Sequence, residues 1–337
     1  MGINNKNRQN RRPPIIFIGT FVSALITLGI VIVGIIYCKV KMNAIGLENI
    51  EQYTQYNKHY AFIMEDGDNP FWDNVYKGAK EKGEQLNTYV ERFGWELPIK
   101  YTAKELLKIA IAANVDGIIM QGDSDIETQL LINEAKDLGI PVATVLEDSP
   151  KSDRICFVGV NNYQLGKEYG NQVLEIADDQ TQKVMVLLDA NTNDASPNLI
   201  LSGINDTLVD SKMAVSVRTI DRKSAFSSEE VIHDIMLDSE NVPDIFICLD
   251  LIDTICVYQT IVDYNKVGKV KMIGYYNSQN ITQAIKKEII HSTIVIDTQG
   301  MGAYAVEALY EYDNIKRVSE YIPVDMKLIS RKDIGEE

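Results

Sequence analysis

Asn69-Pro70-Phe71-Trp72 is the stretch of this chain best equipped for chemistry: an amide, a helix-starting proline and two adjacent aromatic rings. The apolar run Tyr60–Met64 precedes it and reads as a buried strand, followed by the polar turn Glu65-Asp66-Gly67-Asp68. Proline is tolerated in the first turn of a helix, where its missing N–H would have had no partner. The pattern predicts two aromatics displayed at the carboxyl end of a strand, the rim where ligands sit in open α/β sheets. It reads as half of a ligand clamp. Glu65, Asp66 and Asp68 would favour a cationic group over the rings, although an exposed acidic turn is the commoner explanation. The competing reading of Phe71 and Trp72 is core packing.

Bond-breaking chemistry has little to work with. His59, His233 and His291 are scattered, with no i, i+4 pair for a metal, and neither a G-x-S-x-G elbow nor a phosphate loop occurs. The expectation is a binding protein, not an enzyme, with no cofactor. Asp189, Asn191 and Asp194 follow an apolar run at a predicted rim and are read either as cleft lining or as turn chemistry. Cys156, Cys248 and Cys256 lie in apolar surroundings without paired spacing, which predicts buried free thiols.

Charge is divided unevenly along the chain. Residues 1–41 hold six basic side chains and no acid, leaving 27 basic against 48 acidic residues in the remainder. An acidic body excludes a nucleic-acid partner, which needs a basic face. Residues 15–37 form an uncharged apolar stretch of 23 residues, long enough for a bilayer-spanning helix. Four basic residues precede it and two follow, so the positive-inside rule predicts a cytoplasmic tail over 1–14 and an extracytoplasmic body. The exit Tyr37-Cys38-Lys39 has no small-residue cleavage site, which favours an uncleaved anchor over a signal peptide. Residues 38–58 are polar with a weak apolar stripe and read as a stalk.

From His59 onward, short apolar runs alternate with amphipathic stretches. The runs Gly117–Met120, Ile140–Leu146, Ile155–Val160, Val184–Leu188, Ile245–Leu249, Val270–Tyr275 and Ser292–Ile296 read as strands. Between them, 126–138, 163–176, 253–264 and 301–310 read as helices. That alternation means βαβ units and parallel sheets. About ten strands are too many for one comfortable open sheet, so two doubly wound lobes are expected.

Several stretches resemble the type I periplasmic sugar-binding proteins. Asn69-Pro70-Phe71-Trp72 with Lys77-Gly78-Ala79 is similar to that family's first helix. Asn114-Val115-Asp116-Gly117-Ile118-Ile119 is similar to its "GVDGII" strand, and Gly139-Ile140-Pro141-Val142-Ala143-Thr144 to "GIPVVT". Val158-Gly159-Val160-Asn161-Asn162-Tyr163 with Gly166 and Gly170, Ser292–Val295 before Met301-Gly302, and Tyr321–Leu328 continue the likeness in order over 59–330. The resemblance implies two α/β lobes joined by a three-crossing hinge, closing on ligand held between them. The lobes are expected over 59–159 plus 298–321 and over 160–297 plus 322–337. It also implies ligand-binding roles for Asn69, Phe71, Trp72 and Phe226; Glu147, Asp250, Tyr276 and Asn277, at or beside positions where this chain departs from the family, are read as its own further contacts.

The polar half of the family's site is replaced. Its hydroxyl-binding positions correspond here to Leu146, Ile200, Leu249, Tyr276 and Ile296. Each hydrogen bond to a charged group contributes about 1.5–3 kcal/mol, and micromolar affinity is worth only about 8 kcal/mol. A smaller or less polar ligand than a hexose or pentose in the usual pose is therefore expected. The leading expectation is a membrane-tethered extracytoplasmic solute-binding protein sensing such a ligand for a partner such as a histidine kinase. The alternatives are the binding component of an ABC-type sugar importer with its permease, and a ligand-free interaction scaffold.

Overall fold

The computed structural model describes residues 27–34, 37, 56–64, 69–190, 196–221 and 226–335. The chain divides into two units, Met1–Gln55 and Tyr56–Glu337. In the first, residues 27–34 and 37 are helical. No helix among the described residues is long and apolar enough to cross a membrane. Most of the span expected over 15–37 lies outside the described residues, as do Cys38, most of the stalk, the acidic turn 65–68, and Asn191 and Asp194.

The second unit alternates strands and helices. In order they are β1 (Lys58–Ile63), α1 (Pro70–Gln85), β2 (Thr88–Arg92), α2 (Ala103–Ala112), β3 (Gly117–Gln121), α3 (Ile126–Asp137), β4 (Val142–Val145) and β5 (Cys156–Gly159). Then follow α4 (Asn162–Ile176), β6 (Lys183–Asp189), α5 (Ser196–Leu208), β7 (Ala214–Ile220), α6 (Ser227–Leu237), β8 (Ile245–Cys248), α7 (Leu251–Asp263) and β9 (Lys271–Tyr275). The chain ends with α8 (Gln279–Lys286), β10 (Ser292–Ile296), α9 (Thr298–Ile315), β11 (Tyr321–Pro323) and β12 (Met326–Ser330).

Two six-stranded sheets result, ordered β11-β5-β4-β3-β1-β2 and β12-β10-β9-β8-β6-β7. The chain passes from the first sheet to the second after β5, returns between β10 and α9, and passes again between β11 and β12. These crossings are tied together, since Val324 N donates to Gly159 O and Asp297 N to Asp325 O, each at 2.9 Å. The stretch Tyr321–Leu328, within which the lobe boundary is expected at 321/322, is cut by Val324-Asp325 into two strands in different sheets. β12 runs antiparallel to β10, so the second sheet is not wholly parallel.

Apolar runs mark the central strands well because both of their faces are covered by helices. The edge strands β2 and β7 carry no such run. Thr88-Tyr89-Val90-Glu91-Arg92 alternates buried and exposed residues, and β7 is mostly exposed. An edge strand needs only part of its surface to be apolar, so its signal is weaker.

One hydrophobic cluster runs from Phe62, Trp72 and Met301 of the first lobe to Leu165, Tyr169 and Ile204 of the second. Two others fill the far faces of the sheets. Glycines let the inner helices of each lobe touch. A Cβ on Gly302 of α9 would lie 2.8 Å from Ala79 N and closer still to the Val75 carbonyl oxygen of α1. Gly203 of α5 meets Tyr163 of α4 in the same way, with a Cβ 2.8 Å from Lys167 N. Only glycine fits such backbone contact. Each of α1 and α4 begins at a side-chain cap, Asn69 and Asn161.

Candidate functional site

The first jaw is the start of α1. Asn69 accepts from Phe71 N through Oδ1 at 3.0 Å and so caps the helix that carries both aromatics. Phe71 and Trp72 are 7% and 5% exposed. Their rings meet edge to face at 5.2 Å, and Trp72 meets Phe62 the same way at 6.3 Å. Most of their surface is thus spent on the lobe's core, because the helix packs directly over β1. Behind them, Arg92 pairs with Asp73 at 2.6 Å and lies over the Trp95 ring at 3.8 Å, bracing the outer side of α1.

The loop after β4 forms the next part of the rim. Leu146 takes φ +65°, and its N–H donates to Val158 O at 3.1 Å. Half-buried Glu147 follows, with its carbonyl accepting from Gly122 N at 3.1 Å. Gly122 is required there, since a Cβ would lie 2.9 Å from Asp148 Cα. Asp148 is drawn away from the rim by a bidentate pair with Arg154, in which Nη2 reaches Oδ2 at 2.7 Å.

The second jaw holds Asp250, Tyr276, Asn277 and Phe226. Asp250 caps α7, its Oδ1 accepting from Ile252 N at 2.7 Å and Asp253 N at 3.3 Å. Asn277 is exposed, and its Oδ1 accepts from Thr282 Oγ1 at 2.9 Å. Phe226 stands at the start of α6 and is 71% exposed.

Tyr276 is the residue that joins the jaws. It follows β9 with φ +73°, a left-handed conformation that costs a non-glycine residue about 1–2 kcal/mol. Two bonds to β10 hold it there: its N–H donates to Ile294 O at 2.9 Å and its carbonyl accepts from Thr293 Oγ1 at 2.7 Å. The side chain is 8% exposed and reaches across to α1. Its hydroxyl donates to Pro70 O at 3.2 Å and accepts from Asn74 Nδ2 at 2.6 Å. Burial raises the phenol's pKa, so the proton it donates is kept through neutral pH. Beside this bridge, on the hinge side, lies a cavity of about 380 Å³ lined by Asn74, Tyr276, Asn277, Thr298, Gln299 and Lys327 among others. Ligand pockets commonly hold about 300–1,000 Å³.

A model of the periplasmic binding protein domain matches residues 60–315. The chain belongs to that family. Among solved structures, GanP, a glucose-galactose binding protein from Geobacillus stearothermophilus, is 27% identical with a TM-score of 0.74, covering 83% of this chain and 99% of its own. A Burkholderia graminis solute binding protein of an ABC transporter, solved with D-arabinose, is 18% identical with a TM-score of 0.74, covering 84% and 98%. XylFII in the XylFII-LytSN complex is 21% identical with a TM-score of 0.69, covering 82% and 99%. No curated protein sequence matches the chain.

Within this family fold, Tyr276 is brought to the first jaw. Asn69, Phe71 and Trp72 share the start of α1 opposite it, and Asn277 lines the hinge-side cavity with it. Glu147 follows β4, Asp250 caps α7 after β8, and Phe226 stands at the start of α6. Asn74 was not singled out in the sequence. One turn beyond Pro70 on the same helix, it shares Pro70's face, and that i, i+4 spacing is the signal that could have found it. No group of three metal-ligating side chains occurs among the described residues. Cys156, Cys248 and Cys256 are free, and burial pushes the thiols of Cys156 and Cys256 up to about 12 and about 11. Raised in this way, the thiols stay protonated at neutral pH.

Proposed function

We propose that this chain is a membrane-tethered extracytoplasmic solute-binding protein whose lobes close on a small ligand, sugar-like or less polar. The observation that carries the reading is the family fold with Asn69, Phe71 and Trp72 set opposite Tyr276 across the cleft. Two similar structures named for glucose-galactose and D-arabinose binding support a polyol-type ligand. Leu146, Ile200, Leu249 and Ile296 supply no polar group to a ligand, which favours one with fewer hydroxyls. The uncharged segment 15–37 supports a membrane anchor, with 1–14 in the cytoplasm. A stationary anchor suits a sensor that presents its closed state to a membrane partner such as a histidine kinase. XylFII, which shares the fold, assembles with LytSN.

A thermal-shift screen of the purified full-length chain against sugars, polyols, furanones and nucleosides tests the ligand. A ligand at 100 times its Kd adds about 2.7 kcal/mol to stability. A set of compounds that leaves the melting temperature unmoved sinks the small-molecule reading and favours a ligand-free scaffold. A reporter fused after Glu337 is expected outside the cytoplasm, and a cytoplasmic signal reverses the topology.

A further inference from the structure

We propose that Tyr276 is an interlobe latch that holds the two lobes closed in the absence of ligand. The phenol comes from the second lobe, and both of its partners lie in the first two turns of α1 in the first lobe. Its contacts are those a bound hydroxyl would make. The Pro70 carbonyl accepts its proton and the Asn74 amide donates to its oxygen, so one donor and one acceptor are both satisfied. A ligand that bridges two lobes stabilises closure because it contacts both only when they meet. Tyr276 makes such a contact from within the chain.

Three further features fit the device. The left-handed backbone at Tyr276 is held from both sides by β10, which aims the ring across the cleft instead of along its own rim. The ring is buried at the meeting of the lobes, where a hydrogen bond is shielded from competing water. The neighbouring rim residues Leu146 and Leu249 have no polar side-chain group with which to bridge the cleft. Closure in this chain is therefore biased by its own side chain, and an entering solute must break the bridge first. The inference rests on the two-lobe fold and not on any ligand, so it can fail while the binding reading stands, and the reverse.

The test is a double electron–electron resonance distance between spin labels at exposed Lys77 on α1 and exposed Glu230 on α6, both changed to Cys. The full-length chain is used with no solute added and with Cys38 and Cys256 replaced by Ser. The parent should show one short distance. Tyr276→Phe removes only the hydroxyl and should raise the ratio of open to closed forms roughly ten-fold, the effect of two neutral hydrogen bonds. Asn74→Ala should shift the same ratio in the same direction. Distance distributions identical in all three chains, or a parent already open, overturn the latch. A purely structural role for the tyrosine would lower the melting temperature and leave the distance unchanged, which also overturns it.

Discussion

Replacing Gly302 by Ala tests whether the close crossing of α1 and α9 holds the first jaw in place. The added methyl would sit 2.8 Å from Ala79 N and nearer still to Val75 O, both backbone atoms that cannot rotate aside. Ordinary contact begins near 3.4 Å, so the helices must part by more than about 0.6 Å. Overpacking of this kind costs about 1–3 kcal/mol. Alanine recovers up to about 1 kcal/mol through its helix propensity. Because the nearer clash is with a rigid backbone oxygen, the cost falls at the upper end, and the net expectation is a loss of about 2 kcal/mol, which lowers Tm by roughly 4–8 °C. Differential scanning calorimetry on the purified chain reads it, with Gly335→Ala as control, because a Cβ there meets open space. An unchanged or higher Tm for Gly302→Ala would refute the reasoning, since it would mean that the helices separate freely.

Two other perturbations follow from the structure. Trp72→Ala removes a ring that is 5% exposed and packed on Phe62 and Phe71, and should cost about 3–5 kcal/mol in a urea titration; a loss below about 1 kcal/mol would place the ring in solvent. Trp72→Phe is therefore the better probe of ligand contact. Burial lowers the pKa of His291 below its usual 6.5, opposed by Glu175 and assisted by Lys332 and Lys271. The unfolded chain then binds the proton more tightly, so stability should fall as the pH drops below about 6.5. His291→Asn should flatten that part of the profile, and an unaltered acid limb would refute the assignment.

The fold was legible because its central strands are continuous apolar runs and its turns carry Gly and Pro at strand and helix ends. Ile118, Ile119, Ile245 and Ile247 are apolar because both faces of their sheets are covered. The edges β2 and β7 were not legible, and the crossing inside Tyr321–Leu328 was expected only from the family resemblance. Local pattern carries no information about which sheet a short strand joins. The site was legible only in part. Asn69 is a recognisable helix cap, but its neighbours Phe71 and Trp72 read first as cleft plates, with core packing as the competing reading, and tertiary packing puts most of their surface in the core.

By itself, the sequence determined the α/β alternation, the acidic body and the uncharged segment 15–37. Each depends on residues near one another in the chain or on composition. Only the tertiary structure decided the role of Tyr276. From its position it is one more aromatic in a rim where the family resemblance implies a polar group. Its hydroxyl acquires partners only when residues about 200 positions away in the chain are folded to within hydrogen-bond distance of it.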